Sequence, residues 1–161
     1  VEAAGLFENG GDPQALDREM LDFGMPMGPL RLLDEVGLDV AVHVAKTLAD
    51  AFPDRMSVPG IAVKLAEQGQ LGRKSGAGFF RYDGKGTVPN PAALSLRTGN
   101  TPLPADVRHR LASLMTEEAR RCLNEKVAET AADIDLAMVM GTGYAPFRGG
   151  PMQYSNHPNE P

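Results

Sequence analysis

Two stretches of this chain repeat one another: LDREMLDFGMPMGP at 16–29 and IDLAMVMGTGYAPFRGGP at 134–151. Each opens on an apolar residue and an Asp, continues through a helix-like run carrying Met, stops at glycine and leaves through a proline-glycine connector. Asp17 and Asp135 are 118 positions apart and Pro26 and Pro146 are 120 apart, so pairing the two stretches needs only a small insertion. The pattern has two readings: one supersecondary unit present twice, or chance reuse of helix-glycine-proline punctuation.

The rest of the chain is also helical runs divided by glycine and proline, with little strand. Asp12-Pro13 reads as an N-cap followed by proline at the first helical position, and Leu16, Met20 and Phe23 recur at helical spacing until Gly24. Met25 to Pro29 reads as a kinked connector whose second proline starts a short helix, Leu30 to Val36, closed by Gly37. Asp39 caps a longer helix on which Val44, Leu48 and Phe52 form a stripe continued by Val40 and Ala41, up to Pro53. A helix from about 59 to 68 turns Ile61 and Leu65 inward and ends at Gly69. From Asp83 to Pro104 the composition shifts to Gly, Pro, Asn, Ser and Thr, the signature of a linker, with Leu94, Leu96 and Leu103 as its anchors. Beyond it, Val107, Leu111, Leu114/Met115, Ala119 and Cys122/Leu123 mark a long amphipathic helix, about 105 to 127. Thr130 with Asp133 predicts a capping box opening a helix from about 131 to 140.

Composition bounds the function. The 161 residues are 42% hydrophobic, enough for a core, and the net charge of −5 argues against nucleic acid or anionic membrane as the main partner. One cysteine, Cys122, excludes an internal disulfide and a cysteine-rich zinc site and suits a reducing cytoplasm. No apolar run approaches the ~20 residues that span a bilayer. Val1 without a preceding Met leads to the expectation that the sequence begins inside a longer polypeptide.

The stretch LGRKSGAGFF, 71–80, raises the question of a phosphate cradle. Arg73 stands where a P-loop needs Lys, and neither that motif nor G-x-G-x-x-G fits the spacing. The simpler reading is a glycine turn leading to a short aromatic strand, Phe79 to Tyr82, that pins the end of the first unit. Asp22-Phe23-Gly24 matches a kinase magnesium motif by letters alone and reads as a helix end. His43, His109 and His157 are too scattered for a local metal site. Asp34, Glu35 and Asp39, near glycine breaks, read as helix caps and solvated groups rather than an acid/base pair.

The segments DFGMPMGPLRLLDEVGLDV and GQLGRKSGAGFFRYD closely resemble the C-terminal domain of 3-hydroxyacyl-CoA dehydrogenases. EEARRCLNEKVAETAADIDLAMVMGTGYAPFRGGP resembles the degenerate second copy at the end of the multifunctional fatty-acid oxidation alpha subunit. The resemblance implies an all-α fold of two helical repeats, like the 6-phosphogluconate dehydrogenase C-terminal domain, packed as a pseudo-dimer. Residues 1–82 would be the first repeat, lacking its first helix, 83–103 a linker and 104–161 a truncated second repeat. It implies the substrate-side and dimerisation layer of an NAD-dependent enzyme of beta-oxidation, whose Rossmann domain and catalytic residues lie outside this sequence. The partners implied are that N-terminal Rossmann domain, acyl-CoA and a homodimer mate.

On that basis this chain carries no catalytic residue and no cofactor of its own, NAD belonging to the parent enzyme. His109-Arg110 falls about where a competent copy has Asn-Arg and reads as the surface of a degenerate repeat. Pro26, Met27, Gly28 and Pro29 resemble the family segment that approaches the acyl substrate, though a tight interhelical crossing accounts for them as well. The alternative from another class is a non-enzymatic helical oligomerisation module that keeps the fold without the chemistry.

Overall fold

The computed structural model describes residues 1–84 and 86–156. His157 therefore lies outside the described residues. The chain folds into helices α1 (Glu2–Glu8), α2 (Pro13–Phe23), α3 (Pro29–Val36), α4 (Leu38–Ala51), α5 (Gly60–Glu67), α6 (Pro91–Ser95), α7 (Val107–Asn124), α8 (Ala131–Thr142) and α9 (Pro151–Asn156). Strands β1 (Phe80–Tyr82) and β2 (Thr87–Pro89) form one small antiparallel hairpin with Phe80 opposite Pro89 and Tyr82 opposite Thr87. The fold is thus helical, as the punctuation predicts.

The chain divides into two compact units, Val1–Arg18 with Met27–Pro104, and Glu19–Pro26 with the residues from Ala105 onward. The first half of α2 belongs to the first unit and its second half to the other. In the first unit Phe7, Leu16, Leu30, Leu38, Ile61, Leu65 and Phe79 are fully buried. Phe7 meets Phe79 edge to face at 5.3 Å between ring centres, the geometry that aromatic quadrupoles favour. Ile61 and Leu65 point inward as their spacing predicts. The stretch expected as a linker carries β2 and α6 and belongs to this unit. Asn90 caps α6 by accepting from Ala92 N–H, and its amide donates to Gly78 O and to Gln70. Residues 98–101 run back along the end of α1, where Thr98 N–H donates to Glu8 O at 2.8 Å and Thr101 N–H to Asn9 O at 2.7 Å. Gly99 marks close backbone packing here rather than a free tether, since a β-carbon on it would fall 2.6 Å from Asn9 O.

In the second unit α9 packs on both α7 and α8. Phe23 is buried edge to face against Tyr144 and Tyr154, and the Arg148 guanidinium lies 4.4 Å from the Phe23 ring centre while its Nε donates to Phe23 O. The capping box forms in full, with Thr130 Oγ1 accepting from Asp133 N–H and the Asp133 carboxylate accepting from Thr130 N–H. α8 runs past Gly141 and ends at Gly143, which takes the left-handed conformation that an L side chain resists.

Two sequence expectations are corrected, and one helix is added that the sequence patterns do not mark. On α7 Val107, Leu111 and Ala119 of the expected stripe are buried, joined by Ala112 and Thr116, whereas Leu114 is exposed and Met115, Cys122 and Leu123 are half-buried, so the covered face is shifted toward Ala112 and Thr116. On α4 the buried side chains are Leu38 and Val42, and the stripe Val40, Val44, Leu48 and Phe52 faces away from the first unit's own core. Helical periodicity finds both apolar faces, but only packing decides which is covered. Finally, α1 buries Ala3, Ala4 and Phe7 in a segment too short for its period to be read.

Candidate functional site

The connector and the glycine stretch are both organised by aspartates of the first unit. Asp17, buried on α2, accepts from Leu30 N–H at 2.8 Å through Oδ1 and from Arg31 N–H at 3.0 Å through Oδ2. It thereby supplies the acceptors that the first turn of α3 lacks. Gly28 precedes that turn with ordinary extended dihedrals, and its necessity is one of space: a β-carbon there would overlap the Asp17 side chain. Pro29 takes the first helical position, where a missing N–H costs nothing.

The second unit contains the same device. Asp135 accepts from Met152 N–H at 2.7 Å and from Gln153 N–H at 3.1 Å, and a β-carbon on Gly150 would overlap its side chain. The equivalent steps are thus Gly28-Pro29 and Gly150-Pro151, with Asp17 matching Asp135. The distance from Asp to Gly is 11 positions in the first copy and 15 in the second, so the insertion is four residues. Pairing Pro26 with Pro146 is therefore not the structural equivalence, because the second connector contains the extra turn Pro146–Arg148.

Asp34, fully buried on α3, is a second organising carboxylate. It accepts from Phe79 N–H and Phe80 N–H, each at 2.9 Å, and from the Tyr82 hydroxyl at 2.8 Å. Gly72 and Gly78 close over it, since a β-carbon on either would overlap Asp34 atoms. Gly78 therefore packs on the Asp34 side chain and Gly72 on its main chain, while Gly76 meets nothing within 4 Å. Its cations are engaged too: Arg73 pairs with Glu35 at 2.7 Å and Lys74 with Asp39. Arg31 donates through Nε to Glu35 and through Nη1 to Thr87 Oγ1, each at 2.9 Å. This stretch does not fit a dinucleotide phosphate. Reading Asp34 as a cap or a solvated group is corrected, because its partners lie 45 and more positions on; Glu35 and Asp39 are largely exposed ion-pair members.

The electrostatics follow from burial. Burial pushes the Asp17 carboxyl up to about 6, against the lowering effect of the Leu30 and Arg31 N–H groups; nearby Asp34 raises it further and Arg31 lowers it. Burial likewise raises Asp34, again opposed by its donors. Tyr82 is driven up by burial and by its bond to Asp34. Glu35 is held below the usual carboxylate range by its bonds to Arg73 and Arg31, and Asp39 by its bond to Lys74.

Of the connector residues expected at the substrate, Pro26 is exposed, Met27 and Pro29 are half-buried and Gly28 is buried. Pro26 belongs to the second unit and Met27, Gly28 and Pro29 to the first. An open concavity of about 310 Å³ lies elsewhere, lined by Gly10, Asp12, Ala15, Asn100, Pro102 and Leu103. His43 and His109 are exposed, and His109 Nε2 lies 3.3 Å from Ser113 Oγ. Among the described residues no three His, Cys, Asp or Glu side chains gather as a metal site, and no helix is long and apolar enough to cross a membrane. The sequence reading did not identify Asp17 and Asp34 as organising carboxylates. For Asp17 a signal was present, an Asp followed by Gly-Pro in both copies.

Comparison with known proteins agrees with this architecture. The chain is 36% identical over 162 residues to the fatty acid oxidation complex subunit alpha of Acinetobacter baumannii strain SDF, a match covering 92% of this chain and 23% of that protein. It is 38% identical to the same subunit of Psychrobacter cryohalolentis, again over 92% of this chain and 22% of that protein. The chain thus spans about a quarter of the length of these relatives. Among solved structures, 3-hydroxybutyryl-CoA dehydrogenase from Escherichia coli K12 shares the fold, with a TM-score of 0.79 at 21% identity over 97% of this chain and 50% of that one. The dehydrogenase part of multifunctional enzyme 1 from C. elegans does so with a TM-score of 0.64 at 22% identity, covering 88% of this chain and 34% of that one. The profile of the 3-hydroxyacyl-CoA dehydrogenase C-terminal domain matches residues 1–82, just over half of the sequence, and the chain belongs to that family.

Proposed function

We propose that this chain is the C-terminal helical part of an NAD-dependent L-3-hydroxyacyl-CoA dehydrogenase of fatty-acid beta-oxidation, working in a reducing cytoplasm. The observation that carries the reading is the family match over 1–82, which includes both the Asp17-clamped connector and the Asp34 clasp. The whole enzyme oxidises the C3 hydroxyl of the acyl thioester to a ketone, with NAD⁺ taking the hydride and a His of a Rossmann domain outside this sequence taking the proton.

In this reading the connector Pro26, Met27, Gly28 and Pro29 borders the acyl tail. Small residues and a flexible Met suit an apolar chain of variable length, and Asp17 holds the Gly28-Pro29 step in place. The Rossmann domain of the same polypeptide and a homodimer mate are its partners. Residues 1–82 and 104–161 act as the two repeats. A non-enzymatic oligomerisation module is the competing reading.

The test is to express the full reading frame and follow NADH formation from a 3-hydroxyacyl-CoA, with calorimetry of NADH against this chain alone. Turnover by the full polypeptide, and neither turnover nor NADH binding by this chain, is the expected result. A full reading frame that sediments as an oligomer and shows no turnover would instead give the oligomerisation module.

A further inference from the structure

Val40, Val44, Leu48 and Phe52 on and just after α4 are 46%, 48%, 38% and 39% exposed at intervals of four residues. At 100° per residue, Ala41 and Ala51 share their side of the helix, and that side has no charged residue. Leu38 and Val42 occupy the buried side, while Asp39, His43, Lys46 and Asp50 fill the remaining sector. The helix thus presents a buried face, a polar face and a third face that is apolar and partly exposed, with the Arg55 guanidinium 4.3 Å from the Phe52 ring centre at its end. The four-residue interval continues back through Val36 and Leu32 of α3, both about half exposed. Solvent-facing helix surface is ordinarily polar, and a contiguous apolar patch marks a contact surface.

The size of the patch selects its occupant. At roughly 150–200 Å² for a whole large side chain, the four residues of the stripe expose about 300 Å². Two copies paired through it would bury about 600 Å² in total, or about 900 Å² with Val36 and Leu32 included, short of the ~1,200–2,000 Å² of a stable complex. Contacts between domains of one polypeptide hold from about 600 Å², because the tether supplies a high effective concentration. The matched relatives are more than four times as long as this chain's share of them. We infer that the Val40, Val44, Leu48 and Phe52 face is the docking surface for a neighbouring domain of the same, longer polypeptide, which meets it with an uncharged apolar patch.

This inference rests on the reading of the chain as part of a larger enzyme. Hydrogen exchange over 38–52 is compared between the full polypeptide and this chain alone, each with and without the Val44→Asp, Leu48→Asp pair, alongside sedimentation of this chain and the dehydrogenase assay. Exchange slowed about tenfold or more in the full polypeptide, restored to the free rate by the pair, with this chain monomeric and its melting unchanged by the pair, is the expected result. Equal exchange in both contexts overturns the docking surface even if the full polypeptide turns over substrate. A dimer of this chain that the pair dissociates overturns it in favour of a second copy. Slowed exchange that the pair restores, in a full polypeptide without dehydrogenase activity, leaves the docking surface standing and removes the enzymatic reading.

Discussion

Gly78 lies so close against Asp34 that a β-carbon would overlap the carboxylate, and the same carboxylate accepts the N–H groups of the two residues that follow the glycine. The glycine-rich stretch is therefore a clasp around a buried anion. Asp34→Ala would strand Phe79 N–H, Phe80 N–H and the Tyr82 hydroxyl, at a cost of about 3 kcal/mol or more. By contrast the Arg73→Ala, Lys74→Ala double variant removes only exposed ion pairs and should melt near wild type. Thermal melting of the two variants decides between clasp and phosphate cradle: the opposite order, with coenzyme A binding abolished by the double variant, would restore the cradle.

Phe79 anchors the clasp to α1 through its edge-to-face contact with Phe7. Truncation to Ala removes a fully buried ring and should cost about 3–5 kcal/mol, or about 2–4 °C of melting temperature per kcal/mol for a chain of this size. Chemical denaturation of Phe79→Ala measures it, and a loss below about 1 kcal/mol would show that the ring is not a core anchor.

Glycines of this chain should respond to alanine in opposite directions. Gly28→Ala forces a methyl group into Asp17 and should destabilise by about 1–3 kcal/mol. Gly5 sits inside α1 with nothing within 4 Å of where an alanine methyl would stand, and Gly5→Ala should stabilise by about 0.5–1 kcal/mol. Melting curves of the two variants should move to opposite sides of wild type.

Asp17 gives a pH dependence with an unusual sign. Its folded-state value is raised to about 6 from 3.8, so the charged form is disfavoured on folding. The penalty is present in full above pH 6, relaxes as pH falls through that value and vanishes below the unfolded value near 4. Between pH 7 and 4.5 this group alone adds about 2 kcal/mol of stability on acidification. Buried Asp34 works in the same direction, while Glu35 and Asp39, held low by their cations, lose stabilisation in the acid range. Denaturation of wild type and Asp17→Asn across this range separates the contribution. Wild type should gain on the variant as pH falls, and parallel profiles would refute the assignment.

The features legible in the residues alone are local ones. Pro13, Pro29, Gly37, Gly69 and the Thr130-Asp133 box set helix starts and stops through backbone constraints acting within a turn, and α2, α3, α5 and α8 form close to where those residues place them. The repeat of Asp with a later Gly-Pro was also readable, because both copies need a small residue against the same carboxylate. Packing decided the rest. Whether the Val44 face or the Val42 face of α4 is buried depends on what packs beside it, since periodicity is indifferent to the direction in which a face points. Whether Asp34 is solvated or walled in depends on donors at Phe79, Phe80 and Tyr82, more than forty positions away, which no local pattern brings to it. The composition of 83–104 resembles a tether until its backbone finds partners at Glu8 and Asn9. In each case the deciding energy is a long-range desolvation or hydrogen bond, which exists only once the chain has closed on itself.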